Sequence, residues 1–318
     1  MSGPQFVQPQ LATLVQDPVE GDEWVFERKL DGVRLQAVRD GGDVRLYTRS
    51  GHDRSSTYPE VVDALAAQRS DRFVLDGEVV AFEGSVTSFS RLQQRSGLRD
   101  PDEARASGVA VTFYVFDILH LDGEDCRGRP LRERKQLVRD ALRFDDPLRL
   151  CAHRNGAGPQ LLADACRRGW EGLIAKRADR PYRSGRSRDW LKLKCVAEQE
   201  LVIGGFTEPQ GSRTGIGALL LGYQGQDGLR YAGRVGTGFD EATLTELSDE
   251  LGGRERPTSP FTDAPDGPGT HWVRPDLVCQ VAFTEWTSGG RLRHPRYLGL
   301  REDKRAQDVV REVPEGHP

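Results

Sequence analysis

"VFERKLDGVR", residues 25–34, sets one lysine between an apolar, strand-like start and an Asp-Gly turn. The chain has 318 residues and 45 Lys plus Arg, yet only six are lysine: Lys29, Lys135, Lys176, Lys192, Lys194 and Lys304. A bias toward arginine explains the scarcity but not the placement, because five of the six stand in short segments with other marks of a site. Lys135, in "LRERKQLVRDAL", reads as ordinary helix surface. Arginine stays protonated at physiological pH, whereas lysine becomes a nucleophile once it loses its proton.

Around that stretch, "EWVFERKL", "GVRLQAVRD" and "DVRLYTRS" read as strands of a meander, the last two joined by a hairpin at "GG". "YPEVVDALAAQ" reads as a helix, "RFVLDGEVVAFEG" as a strand pair or one long bent strand, and "VTFYVFDILHLDG" as a buried strand. Helices over "LRERKQLVRDAL" and "QLLADACRRG" precede strands at "EGLIAKR" and "WLKLK". This is an α+β core on antiparallel sheet. Beyond about residue 196 come short strands with Gly-rich turns, one helix "DEATLTELSDEL", and a Pro/Gly-rich surface loop at 256–270. That texture suits a small Greek-key β-barrel of the OB type. The expected division is therefore 1–195 and 196–318.

Composition narrows the class. Hydrophobic content of 36% and charged content of 30% fit a soluble globular protein. No apolar run approaches the ~20 residues that span a bilayer, and "MSGPQFVQPQ" lacks the regions of a signal peptide. The expected location is the cytoplasm. Five scattered cysteines without a C-x-x-C predict reduced thiols, and six dispersed histidines predict no ligand cluster. A net charge of −4 argues against a bulk electrostatic coat for nucleic acid, though not against a local basic face. "RGRPLRERK" (127–135), "RADRPYRSGRSRDW" (177–190) and "RLRHPR" (291–296) could each supply one.

The chemistry-bearing residues sit in a few segments. In K-x-D-G-x-R, Lys29 is followed by Asp31, Gly32 and Arg34. One strand delivers the ammonium, Asp-Gly turns the chain, and Arg34 returns toward the same point. Nucleophilic work needs a lowered lysine pKa, which Arg34, Lys192 and Lys194 could provide. The plainer reading is a hairpin turn with surface charges. "LDGEVV" places Glu78 after a second Asp-Gly turn, and "EGLIAKR" places Glu171 at the start of a strand. Two carboxylates reaching one cleft suit Mg²⁺ beside phosphate oxygens. In "WLKLK", Lys192 and Lys194 share one sheet face while Leu191 and Leu193 face the core. Phe116 could offer a flat face to a purine or simply pack in the core.

In this order, K-x-D-G-x-R, "TRSG", "LDGEVV", "FYVFDIL", "EGLIAKR", "WLKLK" and "GLREDK" resemble the nucleotidyltransferase motifs of ATP-dependent DNA ligases. The likeness is greatest to the ligase module of bacterial LigD end-joining proteins, which "YAGRVGTGF" and "FTEWTSGGRLRHP" also resemble. The resemblance implies a nucleotidyltransferase domain followed by an OB-fold domain, with ATP and Mg²⁺ (or Mn²⁺) as cofactors. It implies that Lys29 forms a lysyl-AMP, with Glu27 and Phe116 at the adenine. Arg34 and Arg49 would contact the ribose and phosphate side. Glu78 and Glu171 would serve ribose and metal, and Lys176, Lys192 and Lys194 the phosphates. Asp31 belongs to the catalytic motif, and Arg301, Asp303 and Lys304 would orient the pyrophosphate.

The same resemblance implies duplex DNA with nicks or breaks as substrate, a monomer, and action at the nucleoid. Relatives are often fused to polymerase and phosphoesterase modules, for which 318 residues leave no room. Polymerase or nuclease activity, and any Ku-like end-binding partner, are expected on other chains. Competing readings are an RNA ligase or capping guanylyltransferase, and a non-catalytic DNA-end-binding module. The distance in sequence between "GLREDK" and Lys29 further predicts a second domain that closes on ATP and then swings to clamp duplex.

Overall fold

The computed structural model describes residues 3–195, 197–209, 215–263, 267 and 269–314. Residues 264–266 and 268 of the Pro/Gly-rich loop lie outside these. The chain divides into two compact units, the first spanning Met1–Cys195 and the second Val196–Glu312. No helix is long and apolar enough to cross a membrane among the described residues.

The first unit contains strands β1 (Gln10–Leu14), β2 (Trp24–Lys29), β3 (Val33–Asp40), β4 (Asp43–Thr48) and β5 (Arg72–Glu83). These are followed by β6 (Val111–Leu121), β7 (Leu148–Leu150), β8 (His153–Asn155), β9 (Gly172–Arg177) and β10 (Gly185–Lys194). Its helices are α1 (Pro59–Ala66), α2 (Phe89–Ser96), α3 (Pro101–Ala106), α4 (Leu131–Ala141) and α5 (Gly158–Arg167). One sheet runs β1-β10-β9-β2-β8; the other is built on β4-β3-β5-β6, with β7 beside β6. Most pairings are antiparallel, as expected, but β1 pairs with β10 and β6 with β7 in parallel.

The strands bury both faces, and the two periods divide the labour. On β3, β5 and β6, Leu35, Leu75, Phe113 and Val115 pack beneath α1, α2 and α4 with Leu65, Leu92 and Val138. Alternate positions on the same strands carry Arg34, Asp76, Glu78 and Phe116 to the opposite face. On β2, β9 and β10, Phe26, Leu173, Leu191 and Leu193 pack toward α5 with Ala165. Glu27, Lys29, Lys192 and Lys194 therefore project from the other side.

Two turn expectations need correction. The Asp31-Gly32 step is no hairpin: β2 and β3 belong to different sheets, and the step carries the chain between them. A Cβ at Gly32 would strike the Val79 carbonyl, so only glycine fits that crossing. Asp76-Gly77 is not a turn at all but lies inside the twelve-residue β5, where the register to β6 shifts. There the Phe113 ring would lie 2.5 Å from any Cβ at Gly77. This glycine answers close packing rather than chain reversal.

Cys166 and Cys195 form a disulfide, against the expectation of reduced thiols. The C-terminal turn of α5 lies against the end of β10, bringing their Cα atoms to 5.2 Å, a distance no spacing rule could reveal. Cys126, Cys151 and Cys279 are free and buried.

The second unit is of the OB type. β11 (Ala197–Thr207) lies between β12 (Ala218–Gly225), itself paired to β13 (Gly228–Val235), and two partners on its other edge. These are β14 (Thr270–Val273) along the second half of β11 and β15 (Val278–Phe283) along the first. The change of partner falls at Gly204-Gly205, where Phe261 and the His271 carbonyl leave no room for a Cβ. That bend curls the sheet. β16 (Arg296–Leu300) extends it beyond β15, and α6 (Glu241–Gly252) is capped by Asp240, which accepts from the Thr243 amide at 2.8 Å.

Candidate active site

The register of β2, β9 and β10 sets the face of their sheet opposite α5 in three rows. Lys29, Gly172 and Lys194 form one, Glu27, Ile174 and Lys192 the next, and Val25, Lys176 and Trp190 the third. Four lysines thus share one face. In water such a group repels itself; here carboxylates and aromatic rings divide it into two clusters.

In the first cluster, Lys29 makes an ion pair with Glu171 Oε1. Burial alone would disfavour the ammonium, but Glu171, Asp31 and Glu78 outweigh it and hold the Lys29 pKa above the ordinary lysine value. The expected lowering by Arg34, Lys192 and Lys194 is not found, because carboxylates dominate the surroundings of this amine. Glu171 Oε2 is buried without a hydrogen-bond partner. Asp31 accepts from the Phe89 amide at 3.2 Å, fastening the start of α2 beside the lysine. Glu78 is half-buried on β5, directly across from Arg34.

In the second cluster, Glu27 is 2% exposed and lies between two ammonium groups. Lys176 Nζ stands 2.8 Å from Oε2, and Lys135 pairs with Oε1. Burial pushes the carboxyl up, yet the two lysines overcome it and keep Glu27 ionised. Lys176 is held below the usual lysine value by burial and by Lys135, while Glu27 keeps Lys135 above it. Lys176 also sits over the faces of Phe116 and Trp190, 4.1 and 3.9 Å from their ring centroids.

Lys135 is therefore no surface residue. Its side chain is 4% exposed, and Nζ also reaches the Phe116 carbonyl at 3.3 Å. The signal was present: Leu131, Lys135 and Val138 recur at i, i+4 and i+7 and form the buried stripe of α4.

Arg34 is placed differently from its sequence reading. It forms a fork with Asp76, at 2.9 and 2.6 Å, and packs on Phe116 and Trp190. Tyr182 donates to the same carboxylate at 2.6 Å. Asp76, Tyr182 and Trp190 are members of this face that sequence reasoning missed: Asp76 sits within "LDGEVV" and Trp190 opens "WLKLK", but only pairing across strands brings them together with Tyr182 and Arg34. Phe116 is 8% exposed, edge-on to Trp190 and covered by Lys176. Arg49 is half-buried in the turn after β4, and Lys192 and Lys194 are half-buried on β10.

In the second unit, Arg301 and Asp303 form a buried fork at 2.8 and 2.9 Å, and Lys304 pairs with Glu200 at 3.0 Å. Arg301 and Lys304 outweigh burial and keep the Asp303 carboxyl below its ordinary value. Among the described residues no three His, Cys, Asp or Glu side chains are grouped to hold a metal ion.

Residues 9–194 match the family described as "ATP dependent DNA ligase domain", and residues 212–304 "ATP dependent DNA ligase C terminal region". The "Multifunctional non-homologous end joining protein LigD" of Pseudomonas aeruginosa is 43% identical over 99% of this chain. The "Multifunctional non-homologous end joining DNA repair protein LigD" of Mycobacterium tuberculosis is 41% identical over 92%. The chain spans 38% of the length of each of these relatives. A solved structure, "mycobacterial DNA ligase D complexed with ATP and MES", superposes with a TM-score of 0.68 at 38% identity, covering 96% of this chain and 98% of that one. With both family regions in order on a matching fold, this chain belongs to the ATP-dependent DNA ligases, as a ligase module of the LigD type.

Proposed function

We propose that this protein seals 5′-phosphate/3′-hydroxyl breaks in duplex DNA in three nucleotidyl-transfer steps, with Lys29 as the nucleophile. The observation that carries the reading is the convergence of Glu171, Asp31 and Glu78 on Lys29, on the sheet face that also bears Lys176, Lys192 and Lys194. Lys29 must first lose its proton, and Glu171, its ion-pair partner, is placed to receive it. The Nζ lone pair then attacks the α-phosphorus of ATP: a P–N bond forms, the P–O bond to the β-phosphate breaks, and pyrophosphate leaves. The adenylyl group passes next to the DNA 5′-phosphate. Finally the 3′-hydroxyl displaces AMP and closes the strand.

Positioning and charge neutralisation supply most of the rate in such transfers. Glu27 and Phe116 would meet the adenine once Lys176 shifts from the ring, and Arg34 and Arg49 the ribose and phosphate side. Lys176, Lys192 and Lys194 would hold the phosphates, and Arg301, Asp303 and Lys304 would orient the pyrophosphate. Glu78 and Glu171 fit a divalent cation, Glu171 through its unpartnered Oε2. Carboxylates beside a phosphate site suit Mg²⁺ or Mn²⁺ shared with phosphate oxygens. Such an ion supplies neutralisation of phosphate charge.

Residues 1–195 would carry adenylation and 196–318 the OB domain. The protein would act as a monomer at the nucleoid in the cytoplasm, alongside a Ku-like end-binding protein and separate polymerase or nuclease chains. The test is intact mass after incubation with ATP and Mg²⁺, followed by a nicked duplex. A gain of one AMP that Lys29→Arg abolishes, and that the nick discharges as sealed strand, is expected. No adduct, or one that persists in the variant, removes Lys29 as the nucleophile.

A further inference from the structure

Phe26, Arg28 and Leu30 alternate with Glu27 and Lys29 along β2 and just beyond it, and all three line a cavity of about 280 Å³. Tyr114, Trp170 and Leu173 complete its apolar wall. Arg28 is the anomaly. Its Nε and Nη2 are buried and have no hydrogen-bond partner, while its guanidinium lies 4.7 Å from the centroid of the Trp170 ring. Leaving charged N–H donors unanswered in the interior costs more than leaving neutral ones, so they call for an acceptor.

The neighbouring charge is positive. Arg154 and Arg168 line the same cavity, and the Arg168 guanidinium lies 5.5 Å from the centroid of the Trp170 ring. The one carboxylate of the lining, Asp164, already pairs with Arg167. His153 adds no charge near neutrality, because burial and Lys135 hold its pKa down. A guanidinium offering two N–H groups binds a planar carboxylate or a phosphate in a fork. Around it are aromatic and aliphatic side chains rather than further polar groups.

The geometry points to a second ligand site behind the nucleophile strand, which takes a small oxyanion carried on an apolar ring, an aromatic carboxylate or aryl phosphate, with its head on Arg28 and its ring among Phe26, Tyr114 and Leu173. It is separate from the lysine face, since residues 26 and 28 point away from residues 27 and 29.

Calorimetric titration of the full chain with benzoate, with phenyl phosphate and with inorganic phosphate tests it. At least one ring-bearing probe should bind more tightly than inorganic phosphate. Saturating ATP should not displace it, and Lys29→Arg should bind it unchanged. Arg28→Met should weaken binding ~10- to 100-fold, the worth of a charge-assisted fork, and Arg28→Lys should restore part of it. Arg168→Ala, at an exposed position that leaves folding alone, should weaken it a few-fold. Absence of binding by either ring-bearing probe, equal affinity in Arg28→Met, or displacement by ATP would overturn the assignment.

Discussion

The two lysine clusters invert each other. At one end a single carboxylate, Glu27, answers two ammonium groups, Lys135 and Lys176. At the other, a single ammonium, Lys29, faces Glu171 as its partner with Asp31 and Glu78 nearby. Both stand on one sheet, Lys176 fully buried and Lys29 partly so, and the lysine pKa falls at Lys176 and rises at Lys29. Burial lowers both values; the carboxylates around Lys29 reverse it, whereas Glu27, opposed by Lys135, does not do so at Lys176. The depressed amine belongs to the site's frame. The proposed nucleophile is held as an ammonium until its carboxylates are drawn elsewhere.

Lys29→Arg gives the largest expected effect: loss of the AMP adduct in intact mass, with the melting temperature close to that of the parent, since arginine can keep the Glu171 pair. An adduct in that variant would end the comparison, because another lysine would then be the acceptor. Glu27→Gln comes next. It leaves two buried ammonium groups without their counter-charge, and breaking such a group costs about 3–5 kcal/mol, readable as a lowered denaturant midpoint. The Glu27 carboxyl lies below its unfolded value, so its contribution is present above the ordinary glutamate pKa. That contribution is lost as pH falls through the folded value, and the variant should show a flatter acid limb.

Lys135→Met is expected to destabilise less, because Lys176 stays on Glu27, and to raise the Lys176 pKa by removing a like charge. Reaction of Lys176 with an amine-directed reagent, followed by peptide mass, should slow. An unchanged rate would mean that burial alone sets that amine. The most discriminating readout is the pH dependence of Glu171→Gln. The rise of the adenylation rate with pH reports loss of the Lys29 proton, and removing the carboxylate that favours the ammonium should shift that rise to lower pH. An unmoved rise would show that Asp31 and Glu78 suffice.

Much of this was legible in the chain. The strand at "VFERK", the alternation in "WLKLK" and the helix at "LRERKQLVRDAL" follow from periodicity, and the motif order carried the family. What failed was what depends on distance in space. "DG" at Asp31-Gly32 looks like a hairpin, but whether two flanking strands pair is settled by the other strands available. The second Asp-Gly step sits in mid-strand because Phe113 fills the space a side chain would need. Lys135 was misjudged since a lysine in a helix is usually solvated, and only the partner at Glu27, 108 residues earlier, makes its burial tolerable.

The Cys166–Cys195 bond closes a covalent ring between cysteines at a sequence separation of 29. Glu171, Lys176, Lys192 and Lys194 all lie on that ring. A single cleavage anywhere between the two cysteines would leave both fragments joined, migrating as one species until a reductant is added. These four members of the proposed nucleotide machinery are thus tethered on a loop whose ends cannot drift apart, whichever peptide bond inside it is cut.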